Sequence, residues 1–540
     1  MGKTNKVLLI STGALLTLTL SSCNLYSIFS SGSSKNSKTS SVTSSSVTPI
    51  TADGVYQSAD FNKTTLHDVS YNRGMDLPPS TGDVDVLVLP IEFTNFTFSS
   101  RTLSNIEDAL NGTDNSYWES VASFYEKSSF GKLHLNFHVA SVYECGLTAE
   151  AAFRNNYLYS DSSSFYYDST KTNGQELVNA AVDNYSDSSY PLTDFDKDED
   201  GIIDAVVAIY SCPDYSQRDY TFEYKNDTIQ DNGFFWAYTY WCSNGGDTSS
   251  PKANTYVWLS YDFFEYGGKA DPHTLIHEYG HAMGLDDYYG SEKKGFQPAG
   301  AIDMMDNNIT DHDAYTKCAL GWVSPYIVSG DDVTLTIRPS ESSGDCVLIP
   351  TSSFNGTVYD EYILLELYTP TGLNELDSSR RYRGSYPLGY TVPGIKIYHI
   401  DSRLVECFYD KNGYNTRTPY LDDPNTIDIT KNTSSYTMIA ATNCNKAFNA
   451  KYILSSNRSY SSDFSLIHLI EATGINTFSS GNAGTNKTLF KKGSSFSLKS
   501  YGSKFFPNKT KMNNGDAFPY TITITDLSGE SATIHISKDQ

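Results

Sequence analysis

Positive charge is scarce in this sequence. Its 39 Lys and Arg stand against 63 Asp and Glu across 540 residues, a formal net charge of −24. No basic stripe gathers along any segment, which argues against nucleic acid as a partner, since binding phosphate needs clustered Lys and Arg. The acidic balance is compatible with calcium and an extracellular setting. Cysteine is sparse too: eight residues, none in a C-x-x-C spacing, so a cysteine-built zinc knuckle is excluded. Past residue 20 no apolar run is long enough to cross a bilayer. There is no internal repeat, which excludes a solenoid or propeller. None of these absences identifies a substrate.

What is present is more specific. The stretch His277-Glu278-Tyr279-Gly280-His281-Ala282-Met283-Gly284-Leu285-Asp286-Asp287 reads H-E-x-x-H-x-x-G-x-x-D. A helix repeats every ~3.6 residues, so His277 and His281 share a face and can point two imidazoles at one ion. Neutral imidazole is a good zinc ligand. Glu278 can sit beside the open coordination position, which suits a general base. Gly284 can end the helix and reverse the chain, letting Asp287 swing back as third ligand. Three protein ligands leave a position for water, the catalytic rather than the closed structural pattern. A bare H-E-x-x-H also occurs in ordinary helices with solvated His and Glu; Gly and Asp at fixed later positions make that reading the weaker one. Asp271 is the predicted N-cap and Pro272 the first helical residue. Leu275, Ile276 and Met283 are expected to face a core.

A second motif precedes it. From Asp196 the chain reads D-x-D-x-D-G-x-x-D, the first nine positions of a calcium loop. Asp196, Asp198 and Asp200 would supply carboxylates, Gly201 the sharp turn, Ile202 its carbonyl, and Asp204 a direct or water-mediated contact. So many carboxylates in so few residues repel each other unless a cation sits among them. The alternative is a solvated acidic turn. The twelfth position is Val207 rather than Glu, inside the β-like run 205–210, so the loop is expected to lead into a strand and to have a structural role.

At the N-terminus, Lys3 and Lys6 precede an apolar run from Val7 to Leu20 and then Leu20-Ser21-Ser22-Cys23. This has the parts of a signal peptide and resembles a bacterial lipoprotein signal, which implies lipidation at Cys23 and a membrane attachment through it. An uncleaved anchor is the alternative; either places the remainder outside the cell membrane. Residues 23–55, rich in Ser and Thr, read as a flexible tether. Setting Cys23 aside leaves Cys145, Cys212, Cys242, Cys318, Cys346, Cys407 and Cys444, an odd number that assigns no disulfide pairing. Val84 to Pro90 reads as an early buried strand and 206–210 as another. Residues 103–110, 116–128, 272–284 and 313–320 read as helices. From about 326, alternation as in Val333–Ile337 and Thr521–Thr525 predicts strands.

Taken with its flanks, the H-E-x-x-H segment resembles the immune-inhibitor-A-like family of secreted bacterial metallopeptidases. Besides that motif, the likeness rests on Asp303-Met304-Met305, on Lys317 and the stretch Leu320-Gly321-Trp322-Val323-Ser324-Pro325, on 123–133 upstream, and on 361–366 and 394–401 downstream. The resemblance implies zinc on His277, His281 and Asp287, with Glu278 as base. It also implies a metzincin-like methionine turn at Met305, with Met304 the alternative. Tyr289 matches a tyrosine that could hydrogen-bond the oxyanion or simply pack. The implied fold is α+β: a metzincin-like catalytic domain over 56–325, then one or two β-rich, sandwich-like domains over 326–540. No large propeptide or cysteine switch is evident, a departure that bears on how activity is restrained.

The expectation is therefore a zinc endopeptidase with a structural calcium, lipid-anchored at the extracellular face of a bacterial cell membrane, acting on protein or peptide substrates. The rival is a surface adhesin whose metal domain is inert; inert relatives usually lose the base or a ligand, and all four groups are present. A zinc hydrolase of non-peptide amides or esters is a third reading.

Overall fold

The computed structural model describes residues 50–72, 75–112, 118–160, 165–167, 174–224, 227–231, 233–242, 245–290, 296–410, 413–416, 424, 435–443 and 464–539. The signal segment, Cys23, the tether up to residue 49 and Cys444 lie outside them. None of the described helices is long and apolar enough to cross a membrane.

The predicted strand at 84–90 extends over Gly82–Glu92 and forms the middle of a six-stranded sheet. It pairs in parallel with Leu133–Val139 on one side and Val206–Tyr210 on the other. Thr255–Ser260 continues the parallel run, and Tyr238–Trp241 closes that edge antiparallel. Strands covered on both faces read as continuous apolar runs, which explains why Val206–Tyr210 is buried at every residue. One face, carrying Val207, Ile209, Val257 and Leu259, packs on the His273–Ala282, Ser100–Asn111 and Val121–Ser128 helices. The other, carrying Ala208, Tyr210, Tyr256 and Trp258, packs on Gln175–Asp183. The helix predicted from 116 starts at Val121. Ser120 and Ser123 form a capping box that fixes the start there, because the cap satisfies amides that a longer helix would use internally.

The β-rich expectation for the C-terminal part takes the form of a second sheet and a four-stranded third. The second runs Val55–Tyr56, Tyr326–Val328, Cys346–Pro350, Glu361–Tyr368, Gly394–Asp401, Ile467–Leu469. Its strands Glu361–Tyr368 and Gly394–Asp401 are buried at every residue. Tyr362, Leu364, Tyr368 and Tyr398 share one core with Met305, Tyr315 and Trp322. Ile363, Leu365, Ile395 and Ile397 share another with the third sheet and the Leu498–Phe505 helix. Residues on both sides of 325/326 therefore share one core. That boundary is a change of sheet within a common core. The mixture of helices and several sheets agrees with the α+β class.

The end of the expected tether is not loose either. Val55 and Tyr56 pair with Val328 and Ile327, and the amides of Ser329 and Gly330 donate to Gly54 O. Two strand residues suffice because the edge of the second sheet offers them a ladder.

Candidate metal centre

The helix bearing the motif spans His273–Ala282 and is buried throughout. It begins one residue later than predicted, so Pro272 rather than Asp271 stands at the N-cap and no side chain caps the helix; Asp271 lies just ahead of it, its carboxylate accepting the His273 N–H. Asp271 is braced from the second half of the chain: Tyr382 Oη and the Arg383 guanidinium donate to Asp271 Oδ2 at 2.8 and 3.0–3.2 Å. Gly284 (φ +96°) ends the helix as expected; the Gly284 and Leu285 amides donate to His281 O and Gly280 O. Left-handed backbone there suits glycine, and a β-carbon would also lie 2.8 Å from Leu77.

That reversal brings Asp287 back over the helix. Its Oδ1 lies 3.3 Å from His277 Nε2 and 3.1 Å from His281 Nε2, and the two Nε2 atoms are 3.1 Å apart. The far ring nitrogens are oriented by backbone. His277 Nδ1–H donates to Met304 O at 2.8 Å and His281 Nδ1–H to Leu285 O at 2.9 Å. A carbonyl can only accept, so each neutral ring carries its proton on Nδ1 and turns the Nε2 lone pair inward. Three buried lone pairs thus converge, and Asp287 Oδ1 has no hydrogen-bond donor among the described residues. Such a set needs a positive charge. If a proton supplies it, His281 takes it: burial disfavours the imidazolium, but Asp287 outweighs burial and raises it to about 10. Burial likewise opposes the Asp287 anion, yet His281 and His277 hold that carboxyl well below the usual range. A divalent ion with three ligands of this type satisfies the same demand, so the donor set fits zinc.

Glu278 follows the first histidine, buried, with Oε2 lacking a hydrogen-bond partner among the described residues. Burial raises its carboxyl above the ordinary value against the opposing pull of His281 and His277. Of the two methionines, Met305 turns its sulfur onto Gly280, between the histidines, while Met304 contributes its carbonyl to His277. Tyr288 is the tyrosine built into the turn: its N–H donates to Met305 O, its hydroxyl bonds Thr316, and its carbonyl accepts from Asn443 of the C-terminal half. Tyr289 stands half-exposed beside it.

Sequence reasoning missed several contributors. Thr239 Oγ1 donates to Glu278 O at 2.7 Å. Its only written signal is a small hydroxyl residue among the aromatic residues of Tyr238–Trp241. The carbonyls of Met304 and Leu285 and the bracing pair Tyr382 and Arg383 carry no signal, because the contacts are main-chain or distant in sequence.

At the aspartate loop, Asp196, Asp198 and Asp200 each bring a carboxylate oxygen within 4.8 Å of the others. Gly201 takes a left-handed turn (φ +85°), and Asp196 accepts from the Asp200 and Gly201 amides. Ile202 enters a short strand parallel to Lys252–Ala253, and the chain runs on into the sheet at Val206. Asp204 stands apart from the trio, accepting from Lys197 N. Burial, reinforced by Asp198 and Asp196, pushes its carboxyl up to about 7. Cys145, Cys212, Cys242, Cys318 and Cys346 are free thiols.

No protein-family model matches the chain, and no curated protein matches it.

Proposed function

We propose that this chain is a zinc-dependent endopeptidase of the immune-inhibitor-A-like, metzincin-like type, tethered through Cys23 at the outer face of a bacterial membrane. The observation that carries the reading is the convergence of His277 Nε2, His281 Nε2 and Asp287 Oδ1 within 3.3 Å, with the next residue, Glu278, holding a carboxylate oxygen that has no partner among the described residues. Zinc held there would polarise a scissile carbonyl and lower the pKa of the attacking water toward ~7.

The protein's own part falls to Glu278. Its burial raises the carboxyl, so it is a better proton acceptor than an exposed glutamate. It takes the proton of the attacking water and returns it to the leaving amine. Asp287 brings a negative charge that a third histidine would not, leaving the site less positive and more dependent on Glu278. Met305 packs its sulfur against Gly280, which lies between the two histidines in the sequence. A calcium ion in the aspartate loop would pin the start of the Val206–Tyr210 strand.

The purified ectodomain, wild type beside Glu278→Ala, is incubated with a proteome-derived peptide library and new termini are read by mass spectrometry. Wild type cleaves, and Glu278→Ala does not while still binding zinc. Cleavage that survives in the variant removes the mechanism.

A further inference from the structure

Buried Glu278 has a task that demands placement, and its Oε2 has no protein partner among the described residues. Something other than a bond to that oxygen must therefore hold the group. Along Tyr238–Trp241, Tyr238 and Tyr240 point to the core on the far side of the sheet. Thr239 alternates to the near side, where its register partner Val257 packs in the core of the His273–Ala282 helix. From there its hydroxyl, in a residue that is 9% exposed, donates to Glu278 O at 2.7 Å.

The strand that carries Thr239 is itself held firmly. It is paired along its whole length with Thr255–Ser260, and the Cys242 amide donates to Asn254 O. Residues 252–253, just before that partner strand, pair in parallel with Ile202–Ile203, and Lys252 N donates to Gly201 O. The strand is thus tied along its pairing with Thr255–Ser260 and again just past Trp241, and from it the Thr239 hydroxyl bonds the helix.

We propose that Thr239 is a positioning residue for Glu278, fixing the distance between the sheet edge and the helix and with it the placement of the carboxylate. The inference rests on the reading of Glu278 as general base. It acts on the chemical step, because a misplaced base loses rate without losing substrate.

The test compares wild type, Thr239→Val, Thr239→Ala and Thr239→Ser on one peptide cleaved by wild type, with Glu278→Ala as the null. Valine keeps the shape without the hydroxyl; alanine removes the hydroxyl without adding apolar volume, so a misfolded valine variant leaves the test standing. The expected result is a kcat loss of roughly ten- to a hundredfold in Val and Ala, with KM and zinc content unchanged. Serine, which restores the donor, should recover most of the rate. A wild-type kcat in Thr239→Val or Thr239→Ala, or a serine variant as slow as valine, overturns the positioning role while leaving the base intact. If wild-type cleavage does not depend on Glu278, the base reading falls and the positioning role falls with it.

Discussion

Met305 lies so close to Gly280 that a β-carbon on the glycine would meet its sulfur at 2.7 Å. Glycine inside a helix ordinarily costs ~0.5–1 kcal/mol relative to alanine, so an alanine here would stabilise an isolated helix. In the protein the contact decides otherwise, since overpacking costs ~1–3 kcal/mol. Gly280→Ala should lower the melting temperature and reduce zinc content, and a smaller side chain at 305, as in Gly280→Ala with Met305→Val, should recover part of both. Differential scanning calorimetry and metal analysis measure this; a Gly280→Ala protein more stable than wild type would show that the sulfur yields freely.

Zinc should bind one per chain at His277, His281 and Asp287. A ligand at ~1,000 times its Kd stabilises the folded state by ~4 kcal/mol, so stripping the metal with a chelator should lower the melting temperature by several degrees. Asp287→Ala should fail to retain the metal after dialysis. Stoichiometric zinc in that variant would remove Asp287 from the ligand set.

Calcium removal should act elsewhere. With Asp196, Asp198 and Asp200 gathered within 4.8 Å, their repulsion is relieved by a bound cation. Selective chelation of calcium should therefore lower thermal stability while zinc stays in place, and Asp198→Asn with Asp200→Asn should make stability insensitive to calcium. Unchanged melting on chelation contradicts a structural calcium.

Alkaline pH should loosen the start of the metal helix through His273. Its ring is stacked between Trp118 and Tyr382, with centroids 4.5 and 4.0 Å away. Nδ1 is 2.8 Å from Asp271 and Nε2 is 3.7 Å from Asp377. Burial alone would lower the imidazole, but Asp271 and then Asp377 outweigh it and raise it from 6.5 to about 9. The folded value lies above the unfolded one, so the stabilisation is complete below pH 6.5 and is lost as pH rises through about 9. Melting temperatures should fall across that window in wild type and fall less steeply in His273→Gln. Equal slopes in the two proteins would assign the loss to other groups.

What could be read from the chain divides by the range of the interaction. The spacing of His277, His281, Gly284 and Asp287 is local, governed by helix period and one left-handed residue, and the side chains meet as that spacing requires. Val206–Tyr210 was legible because a strand covered on both faces is apolar without interruption, and Val84–Pro90 because only Asp85 near its start breaks the run. The 120-end of the next helix was not, since Ser120 and Ser123 decide it through a capping box that competes with the apolar pattern. Least legible was the partnership of the two halves. Tyr362, Leu364 and Tyr398 read as ordinary strand residues, and nothing local says that Met305 and Trp322 complete their core. Thr239 belongs to the same class, a hydroxyl whose importance comes from a helix 39 residues away.

The pairing of Val55 and Tyr56 with Val328 and Ile327 also sets where mechanical load enters the molecule. Tension on the chain ahead of residue 50 reaches the second sheet first, through Ile50 N on the Tyr326 hydroxyl and the Gly54 carbonyl shared by two amides. The His273–Ala282 helix packs on the first sheet, so the first contacts such a pull meets are those of a short edge strand rather than those that space His277, His281 and Asp287.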